Sequence, residues 1–446
     1  MQAPLGDQTI DVGTAGLPDG REPPFIPGSI QPHGALLALD PDNLRIVHAG
    51  GDTARFLGAS ATALLGAVAE DVLPPPHQRR LQALLDSRQS MVHPAWAFDL
   101  ANEHGMADVI AHFSSGLLIL EFEHRHLSIV GNDMALVQRM VRHVQHRRLR
   151  GFYNSVAREV REVTGFDRVM VYRFATDGSG AVIAEARAPD IDSFLGLNFP
   201  SADMSESERV SYLANRIRSV PDARYVPATI RPLNLRDGRP LDLGHSILRS
   251  ISSRSRQYLV NMGVVASVKL SVILRGQLWG LIVCHHKAPR YLPHRLRDVL
   301  ELFAEMVSSH LEMKLIEAGL EAQLHATRIH EGLVERMSLT PNLDDGLIRG
   351  EPNLLDLIAA GGVGLWVDGQ FSSIGAAPAL GQVEALVSWL NATVKSGIFH
   401  TDCLAARFPP ARDFSNIASG LLSLSVSRTA RDYVLWFRPE INHTVS

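Results

Sequence analysis

The sequence predicts an α+β protein built from successive small domains joined by long helices. Three observations carry this. Strand-like apolar runs recur in three separate stretches, each with helical patterns beside it. A helical period runs without a break from Leu292 to Met337. The chain has 446 residues, 46% hydrophobic and 20% charged, an ordinary globular composition long enough for two to four domains of roughly 100–200 residues.

Composition also narrows the function. A formal net charge of −4 gives no electrostatic reason to expect nucleic acid or anionic membrane as the main partner. No apolar run approaches the roughly 20 residues that span a bilayer. The opening MQAPLGDQTIDVG has neither a basic n-region nor an apolar h-region, so no signal peptide is expected. Two cysteines, Cys284 and Cys403, cannot build a disulfide framework. The expectation is a soluble cytoplasmic protein that binds neither nucleic acid nor membrane.

Along the chain, residues 1–21 are rich in Gly, Pro and Asp and predict an irregular arm. The first α+β unit, 22–131, shows the strands ALLALD and RIVHAG and a polar helical run with Leu81, Leu84 and Leu85. It then returns to a strand at GLLILEFEHR, whose end alternates polar and apolar. The second unit, 132–320, opens on helical spacing (Met134, Val137, Val141, Val144, then Phe152, Val156, Val160). Its strands are RVMVYRF, AVIAEAR, SVKLSVIL and QLWGLIVCHH. Between them, residues 200–245 form a Pro-, Arg- and Asp-rich segment too long for an idle connection. In the long helical run, Leu296, Leu300, Phe303, Val307, Leu311, Ile316, Leu320 and Leu324 keep the three-to-four spacing. Such a helix bridges domains or packs on a second copy of itself, and two helices with a hidden joint are the bland alternative. The third unit, 321–446, contains GVGLWVDGQFSSIG (strand, turn, strand), a helix around ALVSWLNATV and a last strand YVLWFRPE.

Enzyme motifs are absent: there is no Walker loop, dinucleotide fingerprint, HExxH helix or GxSxG elbow. His143 and His146 lie one helical turn apart, but Arg139, Arg142, Arg147, Arg148 and Arg150 oppose a cation there, so a solvated basic face is the better reading. His124 and His126 share a strand face without a nearby carboxylate or cysteine and are expected at the surface. No metal site is expected. The second unit says more. In SVKLSVIL, alternation puts Val268, Leu270, Val272 and Leu274 on one face and Ser267, Lys269 and Ser271 on the other. In RVMVYRF, Met170, Tyr172 and Phe174 share a face that suits a flat ligand and equally suits a core. Asp203, Arg218 and Arg249 stand in or beside the long excursion, and arginine forks favour carboxylates. These residue types suggest a pocket for an acidic aromatic ligand.

The blocks FIPGSIQPHGALLALD, GFDRVMVYRF, LGLNFPSADMS, LRSISSRSRQYLVNMGVVASVKLSVILRGQLWGLIVCHH and ASGLLSLSVSRTARDYVLWFRPE occur in that order. From about residue 22 to the end, the sequence resembles the photosensory core of bacteriophytochromes. The resemblance implies PAS, GAF and PHY domains with antiparallel sheets, a homodimer through long helices, and a knotted PAS–GAF junction in which the N-terminal arm threads the long excursion, an exception to the usual rule. It implies a bilin pocket. Asp203 matches the aspartate of PxSDIP, and Tyr172, Phe199, Tyr212 and Tyr258 match an aromatic cage. Arg218 and Arg249 match the propionate and salt-bridge arginines, His285 the ring-D histidine, and Ser267 a propionate-binding serine. Lys269 stands where a second serine is usual.

The departures concentrate on the chromophore. No cysteine precedes Cys284, so the family's attachment site, just before the REP block where this chain reads LPDGREP, is missing. Ser255 replaces the histidine above the pyrrole nitrogens, and PxSDIP has become PSADMS. The PHY hairpin that covers the pocket is not expected within the chain. These changes favour a degenerate receptor with no covalently bound cofactor. A photoreceptor holding biliverdin non-covalently is the first alternative, since losing a tether removes effective concentration rather than contacts. A redox sensor acting through Cys403 or Cys284 is the second, requiring an exposed thiol of lowered pKa. In each case the chain is expected to be a sensory input and not an enzyme. Its partners would be a C-terminal output domain, most commonly a histidine kinase in the family, and a downstream response regulator.

Overall fold

The computed structural model describes residues 25–86, 93–125, 132–175, 177–204, 206–235, 237–340, 342–394, 397–426 and 432–440. The expected arm at 1–21 and His126 lie outside them. The chain divides into two compact units, residues 1–312 and 313–443.

The first unit begins with strands β1 (Phe25–Ile30), β2 (Gly34–Leu39), β3 (Ile46–Gly51), β4 (Ala95–Asn102), β5 (Gly105–Ser114) and β6 (Leu117–His124), with helix α1 (Pro75–Asp86) between β3 and β4. Helices α2 (Asp133–Gln145) and α3 (Leu149–Thr164) follow, then β7 (Arg168–Phe174), β8 (Gly180–Arg187) and β9 (Asn198–Phe199). The long excursion contains helix α4 (Glu206–Ala214), β10 (Ile217–Val220) and β11 (Ala228–Arg231), and β12 (Arg249–Ile251) follows just after it. Helix α5 (Ser253–Asn261), β13 (Ala266–Leu274) and β14 (Gln277–His286) complete the unit's sheets.

Two antiparallel sheets result. In the first, the order is β12-β1-β11-β3-β2-β6-β5-β4, so β1 lies between β11 of the excursion and β12 just after it. That arrangement is consistent with the expected knot. It also explains why GALLAL is apolar throughout. Ala35, Leu37 and Leu39 face a core with Leu120 and Phe122. Leu36 and Ala38 face Ile230, Leu241 and Leu243 from the excursion and Leu248 just after it. A strand covered on both faces has no solvent side to make polar.

The alternation at the end of β6 does not reach solvent either. Glu121 and Glu123 are fully buried. Glu121 accepts hydrogen bonds from Ser246 Oγ (2.7 Å) and from the backbone N–H groups of Ile247 (3.1 Å) and Leu248 (2.7 Å), pinning the segment that leads into Arg249. Burial outweighs these bonds and raises its pKa to about 7. Glu123 pairs with buried Arg297 and sits 3.4 Å from His33 Nε2. Burial alone would raise the Glu123 carboxyl, but the Arg297 guanidinium and His33 hold it well below the usual carboxylate range. His124, expected at the surface, is half-buried with its ring 4.6 Å from that of Phe56. The aromatic neighbour comes from residues far away in sequence, which strand alternation cannot reveal.

The second sheet runs β10-β13-β14-β7-β8-β9. Helix α3 packs on β7 and β8 through Phe152, Val156 and Val160, all buried. Helix α6 (His294–Leu339) is one continuous 46-residue helix, so the joint allowed for in the sequence is not there. At 1.5 Å per residue it is about 69 Å long. Leu296, Leu300, Phe303, Val307 and Leu311 are buried in the first unit, as their spacing predicts.

In the second unit the strands are β15 (Gly362–Val367), β16 (Gln370–Gly375), β17 (Ile398–Thr401), β18 (Gly420–Ser425) and β19 (Tyr433–Arg438), in the order β16-β15-β19-β18-β17. Helix α7 (Leu380–Thr393) buries Val383, Leu386, Val387 and Leu390 against Leu421, Leu435 and Phe437. The other face of the sheet, Val363, Leu365, Val434 and Trp436, covers Leu333 of α6.

Candidate functional site

Opposite the face covered by α3, the second sheet of the first unit bounds a cavity of about 490 Å³. Its floor follows from strand alternation. Ser267 and Lys269 of β13 face the cavity while Val268, Leu270 and Val272 are buried. Cross-strand register sets Arg218 beside Lys269, and Ser267 beside His285. Met170 and Tyr172 extend the floor on β7, and helices α4 and α5 form a wall carrying Glu208, Tyr212, Ser255 and Tyr258.

Ten of the eleven expected pocket residues line this single cavity: Tyr172, Phe199, Tyr212, Arg218, Arg249, Ser255, Tyr258, Ser267, Lys269 and His285. The backbone of Asp203 is in a short 3₁₀ turn, Ser201–Asp203, whose neighbours Ala202 and Met204 line the cavity. The Asp203 side chain lies outside the described residues.

The aromatic side is built from mutual contacts. Tyr172 meets Phe174 edge-on at 5.2 Å between ring centroids and Phe199 at 5.9 Å. Gly180 makes this possible, because a Cβ there would fall 2.1 Å from the Tyr172 ring. The resulting apolar wall is large and rigid.

The polar side is strongly cationic. Arg218 and Arg249 are both buried and both donate to the carbonyl of Gly244, at 3.2 and 2.9 Å. Burial and the neighbouring Arg249 push Arg218 well below the usual arginine value, and burial takes Arg249 to about 10. Since a guanidinium keeps its proton in proteins, these directions report positive charge that favours an anion. Arg218 has no carboxylate partner among the described residues. Lys269 lies 5.6 Å above the Tyr212 ring. Burial opposes its charge, but Tyr212, Glu208 and Tyr258 more than offset this and raise its pKa. His285 is held neutral, with its pKa lowered to about 3 by burial and by the charges of Lys269 and Arg168. Ser267 Oγ and His285 Nδ1 are buried without a hydrogen-bonding partner among the described residues. Buried polar atoms are normally satisfied, and these two face the cavity side by side.

Sequence reasoning missed Glu208. Its Oε1 accepts the Ser255 hydroxyl at 2.9 Å, while Ser252 Oγ donates to Ser255 Oγ at 3.0 Å. Two glutamates in the first turn of a helix look like ordinary N-terminal charge. The available signal was that Glu208 precedes Tyr212 by one turn and so shares its face.

The cysteines do not line the cavity. Cys284 faces the opposite side of β14 from His285, is fully buried, and burial pushes its thiol up. This overturns Cys284 as a redox candidate, because a reactive cysteine needs access and a stabilised thiolate. Cys403 is exposed. His143 Nδ1 lies 2.7 Å from Glu159 Oε1, and no group of three potential metal ligands occurs among the described residues.

Three family models match in order: the one described as PAS fold at residues 20–125, the GAF domain at 148–312, and the phytochrome region at 326–446. Cyanobacterial phytochrome B of Nostoc sp. is 38% identical over 435 residues, covering 95% of this chain and 58% of that protein. A bacteriophytochrome of Xanthomonas campestris pv. campestris is 32% identical over 436 residues, covering 94% of this chain and 68% of that protein. The chain thus spans only part of the relatives it matches. Among solved structures, bacteriophytochrome RpBphP3 from R. palustris superposes with a TM-score of 0.80 at 34% identity, covering 94% of this chain and 85% of that one. The Stigmatella aurantiaca phytochrome photosensory core module gives 0.77 at 38%, covering 95% and 86%.

Proposed function

We propose that this chain, which belongs to the phytochrome family as a PAS–GAF–PHY photosensory core, holds a linear tetrapyrrole of the biliverdin type without a covalent bond. The observation that carries this is the pairing of Ser267 Oγ and His285 Nδ1, both without a hydrogen-bonding partner among the described residues, with the buried Arg218 in one cavity. A ligand with a long conjugated body, carboxylate arms and a polar terminal ring satisfies all three, and the aromatic wall suits its flat body. The missing tether lowers effective concentration but leaves these contacts intact. Neither cysteine lines the cavity, which supports reversible binding. The intact cavity favours this reading over outright loss of bilin binding.

The domains of this reading are PAS at 22–131, GAF at 132–320 and PHY at 321–446. The chain acts as the sensory input of a homodimeric receptor, relaying its state along α6 to an output of the histidine-kinase class and then to a response regulator. Catalysis belongs to that output.

An absorption spectrum after incubation with biliverdin, recorded before and after denaturation, tests the binding. A shifted, intensified long-wavelength band that vanishes on denaturation, with all pigment separable from protein, is expected. A covalent adduct, or no spectral change at saturating pigment, overturns the reading.

A further inference from the structure

The cavity wall made by α4 and α5 carries a carboxylate opposite the cationic floor. Glu208 lines the cavity from the first turn of α4, half-buried. Ser255, at the start of α5, is oriented toward it. The Ser255 backbone N–H donates to Ser252 Oγ at 3.1 Å, Ser252 Oγ donates to Ser255 Oγ, and the Ser255 hydroxyl is thereby directed to Glu208 Oε1. A short relay of hydroxyls thus fixes one carboxylate oxygen and leaves the carboxylate at the cavity surface. Among the described residues, the charged and titratable groups that share the cavity with Glu208 are Tyr172 on β7, Tyr212 on α4, Arg254 and Tyr258 on α5, Arg218 and Lys269 on the floor, Arg249 on β12, and His285 on β14. Glu208 acts electrostatically on both Lys269 and Arg249. Cations stand on the sheet, and a carboxylate stands on the helical wall.

We propose that Glu208, positioned by Ser255, is the acceptor and counter-charge for the pyrrole N–H groups of the bound tetrapyrrole and stabilises its protonated form. This rests on the bilin reading above and specifies the polarity of that site. The ligand class it selects carries acidic arms toward Arg218 and Lys269 and an N–H array, cationic when protonated, toward Glu208. A buried cation beside an opposite charge holds its proton more tightly, by roughly one to three pH units. Ser255 is a positioning residue, since it acts through Glu208.

The test is a pH titration of the biliverdin complex of the full chain between about pH 5 and 10, following the long-wavelength band of the protonated pigment. Wild type, Glu208→Gln, Glu208→Asp, Ser255→Ala and Arg218→Ala are compared, with circular dichroism confirming that each is folded. Glu208→Gln is expected to lower the midpoint by about one unit or more. Glu208→Asp restores part of it, and Ser255→Ala gives a smaller fall in the same direction. Arg218→Ala is expected to weaken binding without lowering the midpoint. Bound pigment with the same midpoint in Glu208→Gln as in wild type overturns the assignment of Glu208 while leaving the bilin reading standing. Absence of any uptake by wild type overturns both.

Discussion

Arg218 and Arg249 converge on the carbonyl oxygen of Gly244, two residues before the segment pinned by Glu121. Both guanidiniums are buried and line the cavity, and Arg218 has no carboxylate partner among the described residues. Removing either one takes away a charge-assisted contact worth about 1.5–3 kcal/mol. Arg218→Ala and Arg249→Ala are therefore expected to weaken biliverdin binding by about 10- to 100-fold. Absorbance titrations check this, and unchanged affinity in both variants contradicts a carboxylate site.

Glu121 makes stability depend on pH. Its ordinary value is 4.5, and burial raises it to about 7 in the folded chain. The folded state thus binds this proton more tightly than the unfolded state. The contribution is complete below about pH 4.5 and is lost as pH rises through about 7. Urea unfolding of the wild type is expected to show stability falling by on the order of 2 kcal/mol between about pH 5 and 8. Glu121→Gln should flatten that slope, and an equal slope in both proteins counts against the buried, protonated carboxyl.

Along α6, Met313, Ile316, Leu320 and Leu324 are all more than half exposed, at 54–59%. Their three-to-four spacing makes one apolar stripe on a helix, the pattern that pairs helices. In the proposed homodimer, paired Ile316→Glu and Leu320→Glu changes should shift the chain toward monomer. Light scattering across a dilution series reads this directly, and a dimer that persists unchanged would place the interface elsewhere.

The two thiols should differ sharply. Native protein is expected to react with one equivalent of an aromatic disulfide reagent, at Cys403, and denatured protein with two. Rapid labelling of Cys284 in the native state would contradict its burial.

Much of the site was legible in the sequence because strands alternate. Ser267 and Lys269 fall on one side of β13 and Val268 and Leu270 on the other, whatever the surrounding fold. The motif blocks then brought Tyr212, Arg249 and Tyr258 to the same pocket, and ten of those positions do line one cavity. Glu208 escaped because its partner, Ser255, is 47 residues away, and a first-turn glutamate looks the same whether it faces water or a pocket.

Local periodicity and motif order were sufficient for the α+β class, the three successive regions and the polar face of β13, because each depends on residues within a turn or a strand of one another, while the structure decided that α6 is unbroken. Tertiary structure alone decided the rest. It buried Glu121 and Glu123 on a strand whose alternation points to solvent, because residues 246–248 close over Glu121 and Arg297 of α6 over Glu123. It set Cys284 away from the cavity and brought Glu208 to Ser255. Charge and reactivity depend on which distant groups approach and how much water they displace, and only the folded chain specifies that.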